Sequence, residues 1–475
     1  MRKVWAIVRL TIAESIRTRV AIAFVLLLAG VMVLLISTAS GDGTVAGKIQ
    51  MFMSYSMGLT YFLLALLVIF LACRTLDQDI QSQRIDSLAS KPLARWQLLL
   101  GRWLGIVLLA LFLFILSMGT TYTMVRLYAR SAKEKTQDKF KIDNQILVAR
   151  RGFMPPLPDV SGQVEKRIAE LKAQGNMPQN RGYTDVQKMI GDELIRQTRT
   201  VNPRQQGIWV FKGLPKPQQG EVVLTLRYKY EPSITTTRDK ESNLRGDTIY
   251  GQWIIGRREA KNVYITSPME KPYRTLQELN IPINAIDPDG SLTIAFINGD
   301  PREVAVHFPP QDGIEILVHE GTFEPNFIRT AIIIFSAIVF LTTLALACGT
   351  FLSFPIASLV ALSAFFVGIG GNFLYEAMGK FGDETVLNTF VRVIGGLLSG
   401  KDVLNNCERL ISLISLQIIP VLDASVFTSK LIDGRIIDWN DVAGQFGNLV
   451  ILKAGVLAIF AIFVFSRREL GKITV

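Results

Sequence analysis

Six apolar runs of near-membrane length divide this 475-residue chain, at 20–36, 57–73, 104–125, 328–352, 354–374 and 450–465. A helix needs about 20 mostly apolar residues to cross the hydrocarbon core. Lipid offers no partner to an unpaired peptide group, so such runs are constrained to be helical. The expected fold is an α-helical polytopic membrane protein with six transmembrane helices. The first run begins only at Val20, behind a long basic segment, and no small-x-small cleavage signal follows it. It reads as a retained anchor rather than a signal peptide.

Charge sets the expected orientation, because short loops rich in Lys and Arg stay cytoplasmic. Arg2, Lys3, Arg9, Arg17 and Arg19 precede the first run. Arg74, Arg84, Lys91, Arg95 and Arg102 lie between the second and third, and Arg467, Arg468 and Lys472 follow the sixth. With six spans all three groups face one side. The expectation is a multi-pass protein of the cytoplasmic (inner) membrane, with 1–19 and the residues after 465 in the cytoplasm. A net charge of +11 would also suit nucleic acid. Its placement beside apolar runs assigns it to orientation, and no nucleic-acid partner is expected.

Between the runs the composition changes. Residues 1–19 read as an amphipathic interface helix, with Trp5, Val8, Ile12 and Ile16 at helical spacing. The first three spans occupy 20–125, with a charged loop at 74–102. Residues 126–325 read as an extracytoplasmic α+β insert long enough for its own core. Its first part, 126–205, is helical: Ser161 can cap a helix through Val164, Ile168 and Leu171, and Thr184-Asp185-Val186-Gln187 has capping-box form. Its second part, 206–325, is β-sandwich-like. Val222, Leu224, Leu226, Tyr228 and Tyr230 alternate with polar neighbours, and short strands are expected near 208–211, 252–255, 263–266, 279–283, 292–297, 304–308 and 314–318. The last three spans fall in 326–475. A semi-polar extracytoplasmic stretch at 379–448 includes short apolar segments at 386–398 and 410–422 that suit re-entrant helices.

No catalytic constellation is legible, so no enzyme activity, metal or cofactor is expected in this chain. The cysteines Cys73, Cys348 and Cys407 have no metal spacing. His319 with Glu320 and Glu315 could be drawn as a metal site, but a strand-edge histidine is the commoner case. Gly395 to Lys401 mimics a phosphate-binding loop, yet position 402 is Asp where the motif requires Ser or Thr for magnesium. The chain is therefore expected to bind no nucleotide itself, and any energy must come from a partner. Attention passes to the charged loop, where Leu76, Ile80, Ile85 and Leu88 mark one apolar stripe along a helix, with Asp77, Asp79, Arg84 and Asp86 elsewhere and Pro92 ending it. Such a stripe lies on a membrane or docks in a partner's groove; the bland alternative is a solvated connector. Arg95 and Trp96 suit the membrane interface, as do Trp5, Arg17 and Arg19.

These residues resemble a known family. Asp79 onward through Ser90-Lys91-Pro92-Leu93-Ala94-Arg95-Trp96-Gln97 to Gly101-Arg102-Trp103-Leu104-Gly105 is similar to the first cytoplasmic loop of type-2 ABC exporter permeases. Thr350-Phe351-Leu352-Ser353-Phe354-Pro355 resembles their turn between spans four and five. The stretch from Ile419-Pro420 to Asp438-Trp439, and Phe465-Ser466-Arg467-Arg468-Glu469-Leu470, resemble the family's last-span region. Departures are Gln83-Arg84 where many members have Gly-Thr, Asp79 where many have Glu, and the large insert. The resemblance implies a permease subunit working with separate cytoplasmic ABC ATPase subunits that bind the ATP and magnesium, as a homodimer or beside a second permease chain. It implies that Leu76, Asp79, Ile80, Arg84, Ile85 and Leu88 couple to the ATPase, with Phe351 and Pro355 as a second contact. Alternatives are a mechanotransmission subunit that moves its insert without transport, and a membrane-anchored glycan- or protein-binding module.

Overall fold

A computed structural model describes residues 2–17, 19–38, 43–81, 94–132, 137–177, 183–215, 223–233, 248–256, 263–371 and 422–467. The segments 386–398 and 410–421, and the residues Arg84, Ile85 and Leu88, lie outside the described residues. The main helices are α1 (Arg2–Arg17), α2 (Val20–Thr38), α3 (Val45–Gln81), α4 (Arg95–Ser131), α5 (Ser161–Ala173), α6 (Tyr183–Thr198), α7 (Phe323–Gly349), α8 (Phe354–Ile369), α9 (Ser425–Ile432) and α10 (Trp439–Arg467). Among the described residues, α3, α4, α7 and α10 are long and apolar enough to cross a membrane. The pair α1 and α2, bent by 65°, makes a fifth candidate. Of the expected fifth span, 354–374, the described part holds the 16-residue apolar helix α8. The chain is thus a mostly helical, multi-pass membrane protein with a separate β-sheet region.

Two compact units divide it, residues 1–149 with 322–475, and residues 150–321. In the first unit α3, α4 and α7 form the centre, with most of their apolar windows buried, while the last span is only 22% buried. Ile451, Leu452, Val456 and Ile459 on that span stay exposed, the surface composition a lipid-facing helix carries. One polar pair lies inside the bundle, where the Thr60 and Ser117 hydroxyls are 2.6 Å apart between α3 and α4. Glycine sets one close approach there. A Cβ on Gly349 of α7 would lie 3.3 Å from Leu76 Cδ1.

At the opposite end of these helices Asp138 accepts the Val45 and Ala46 N–H groups, 2.8 and 3.0 Å away, capping the first turn of α3. Asn326 accepts the Ile437 N–H and donates to the Arg435 carbonyl, while Arg329 donates to the Ile437 carbonyl. These bonds strap the segment ahead of α10 onto α7.

The second unit contains α5, α6 and most of twelve strands: β1 (Val148–Phe153), β2 (Thr200–Val201), β3 (Gln206–Phe211), β4 (Val223–Tyr228), β5 (Glu231–Ser233), β6 (Thr248–Ile255), β7 (Tyr264–Ile265), β8 (Met269–Pro272), β9 (Gln277–Pro282), β10 (Leu292–Asn298), β11 (Ala305–His307) and β12 (Ile314–Thr322). One sheet runs β1-β12-β4-β9, a second runs β3-β10-β6-β7 with β8 also on β6, and a third runs β2-β11-β5. In β4 Leu224, Leu226 and Tyr228 enter a core shared with Trp209, Phe211, Trp253, Ile294 and Phe296 of the second sheet, as the alternation requires, but Thr225 and Arg227 on the other face are buried too, where a half-buried strand was expected. Gly251 leaves room for the Phe296 ring, since a Cβ would stand 2.2 Å from its Cζ.

Three details differ from the sequence reading. β1 lies in the stretch expected to be helical. The α5 start is organised by Asp159, whose carboxylate accepts from the Ser161 N–H and hydroxyl at 3.0 and 2.7 Å, and Ser161 is itself the first helical residue. α6 begins at Tyr183, ahead of Thr184.

Candidate functional site

The two helices flanking the charged loop, α3 and α4, are joined by one buried arginine. Arg102 lies seven residues into α4, about 10 Å along its axis at 1.5 Å per residue. Its side chain is 1% exposed. Nε and Nη2 donate to the two carboxylate oxygens of Asp79 at 2.9 and 2.6 Å, a bidentate pair. Nη1 donates to Glu14 of α1 at 2.5 Å and to the Thr11 hydroxyl at 3.2 Å. Thr11 donates in turn to the Ile7 carbonyl, so its oxygen is free to accept from Arg102. One guanidinium therefore ties α1, α3 and α4 together.

The fit of α1 on α4 explains why Arg102 is covered. Gly101 and Gly105 stand four apart, on one face of α4. A Cβ on Gly101 would lie 2.7 Å from Ile7 Cβ, and one on Gly105 the same distance from Thr11 Cβ. This is close backbone approach over a small-xxx-small face. The flanking residues reach the other helices. Trp103 donates its indole N–H to Thr343 of α7 at 2.9 Å. Arg95 donates to the Phe465 and Ser466 carbonyls at the end of α10, at 3.1 and 2.8 Å, where a cation complements the helix dipole. Eleven residues, 95–105, thus bind α4 to α1, α3, α7 and α10.

The expected coupling residues are distributed as follows. Leu76 is fully buried, set against Gly349, and so takes no part in an exposed stripe. Asp79 is 1% exposed and held by Arg102. Both belong to α3 itself, because the helix of the second span runs on to Gln81 where a separate loop helix was expected. The Ile80 backbone lies in that last turn. Phe351 is 46% exposed and meets the Phe460 ring of α10 edge-on at 6.1 Å. Pro355 is exposed in the first turn of α8, where its missing N–H costs nothing. Trp5, Arg17, Arg19 and Trp96 are exposed, and Arg95 is engaged with α10 as described. The sequence reading took Arg102 only as an orientation charge and the glycine pair only as part of a resemblance, and it missed Glu14 and Thr11. Gly-x-x-x-Gly bracketing an arginine was the available signal.

In the second unit, Glu315 lies 3.7 Å from Arg227, and Glu320 pairs with Arg151. Both carboxylates that could have joined His319 face arginines. No cluster of three metal-ligating side chains occurs among the described residues.

Comparison with known protein families, with curated proteins and with solved structures gives no match.

Proposed function

We propose that this chain is the permease subunit of a transporter driven by separate cytoplasmic ABC ATPases, most simply an exporter. The ATPase-facing handle is the part of 74–102 that lies between Asp79 and Arg95, the membrane unit has six spans, and the second unit is extracytoplasmic. The hub at 95–105 carries this reading. A connector between spans needs no more than a soluble tether. Here the first three turns of α4 are fixed to four other helices by an arginine fork, a glycine seam and three further side-chain hydrogen bonds. A push delivered just ahead of Arg95 therefore reaches α1, α3, α7 and α10 together. An equilibrium shifts only through differential contact with its two states, and a rigid hub next to a charged loop supplies a place for such contact.

A second reading keeps the same drive but moves the 150–321 unit without cargo crossing. It is favoured by that unit having a core of its own. The first test is affinity capture of the tagged full chain from its native membranes. An ABC ATPase is expected to co-purify, and Ile80→Asp with Ile85→Asp and Leu88→Asp is expected to release it. Capture without an ATPase, or capture indifferent to the triple substitution, removes the reading.

A further inference from the structure

The face of α1 turned away from α4 has a composition that needs its own explanation. Ile7, Val8, Thr11 and Ser15 are buried. Arg2, Lys3, Trp5, Arg9, Leu10, Ile16 and Arg17 are exposed, with Arg19 beyond them. At 100° per residue, Trp5, Ile12 and Ile16 fall within about 40° of one another, beside the α4 contact. Arg2 and Arg9 occupy roughly the next 40°. The only acid in α1 is Glu14, and its carboxylate is spent on Arg102. The exposed arc therefore carries cationic charge with no acid in the helix to offset it. α1 also meets α2 at 65°, through Arg19, which takes a left-handed φ of 59°.

We propose that α1 is a binding surface for anionic phospholipid, with Arg2 and Arg9 on the headgroup phosphate and Trp5, Ile12 and Ile16 in the acyl boundary. Burying an apolar flank at the interface and placing basic residues at headgroup depth are additive contributions. A Lys or Arg near an anionic surface is worth roughly fivefold in association. The Arg102 fork and the glycine seam fix the roll of α1, so this flank is presented to the lipid rather than found by a free helix. A bilayer contact by α1 requires a spanning α2 but no ATPase. Failed ATPase capture leaves it standing, and its own failure leaves capture standing.

The test is tryptophan quenching in the reconstituted full chain. Wild type and Trp5→Phe are placed in vesicles containing brominated phosphatidylglycerol or brominated phosphatidylcholine, and the difference between the two proteins isolates Trp5. Stronger Trp5 quenching by the anionic lipid is expected. The preference should fall by several-fold in Arg2→Gln/Arg9→Gln, persist in Arg2→Lys/Arg9→Lys, and weaken with salt. Unchanged melting of the Gln variant shows that the fold is intact. Equal quenching by the two lipids, or no quenching of Trp5 by either, overturns the proposal. So does loss of the preference on adding inorganic phosphate beyond what chloride of equal ionic strength causes, which would mark a site for a free anion.

Discussion

At the scale of single residues, Arg102 is the most exacting position. Removing one partner of a buried pair strands the other charge, at a cost of about 3–5 kcal/mol. Arg102→Gln and Asp79→Asn should each lower the thermal stability of the detergent-solubilised chain by an amount in that range. Arg102→Lys should recover only part of it, because an ammonium cannot reproduce the fork to Asp79. Scanning fluorimetry checks the order wild type, Lys, Gln; equal stability of all three would show the fork to be incidental. His307 offers a pH test in the second unit. Burial, with Arg196 and Arg199 nearby, holds its imidazole below the ordinary range, and its Nδ1 lies 3.3 Å from the Thr200 hydroxyl. The unfolded chain therefore binds the proton first. The contribution of neutral His307 is complete above the unfolded imidazole pKa of about 6.5 and is lost as pH falls through it toward the folded value. Melting of the full chain followed by tryptophan fluorescence should decline across that window, and His307→Gln should flatten the decline.

At the scale of elements, the seam between α1 and α4 depends on two absent side chains. Gly105→Val would drive methyl groups into Thr11, at a cost of about 1–3 kcal/mol for overpacking. The expected result is release of α1, read as faster proteolysis within 2–17 while the second unit stays intact. Unchanged protection would mean that α1 is held elsewhere. The elements differ in how far the sequence discloses them. β4 was readable because its side chains alternate with period two, and Leu224, Leu226 and Tyr228 enter the core as that alternation requires. Four of the six expected spans were readable as α3, α4, α7 and α10, and the first as part of the bent α1–α2 pair, because hydrophobic length is a local property. β1 was not, since Val148-Ala149-Arg150-Arg151 carries no alternation and becomes a strand only beside β12. The interior role of Arg102 was not readable either. An arginine at a span end reads as a topology signal, and its burial depends on Thr11, Glu14 and Asp79, which are distant in sequence. Leu76 misled for a related reason: it has the spacing of an exposed face, but α7 covers it at Gly349.

At the scale of the whole molecule, orientation and drive are the two claims. A cysteine replacing Lys212, an exposed residue of the second unit, should react with an impermeant maleimide from outside intact cells; reaction only after permeabilisation would invert the topology. The drive is tested most directly by distance measurement in the chain purified together with the proposed ATPase. Spin labels at Tyr55 of α3 and Phe366 of α8, both exposed, report on relative movement of two membrane helices. Vanadate trapping with ATP should shift their distance distribution in wild type. In Arg102→Gln/Asp79→Asn the ATPase should still co-purify and hydrolyse ATP, but the shift should disappear. A shift that survives loss of the Arg102–Asp79 pair, or a wild-type distance indifferent to ATP, would contradict the account.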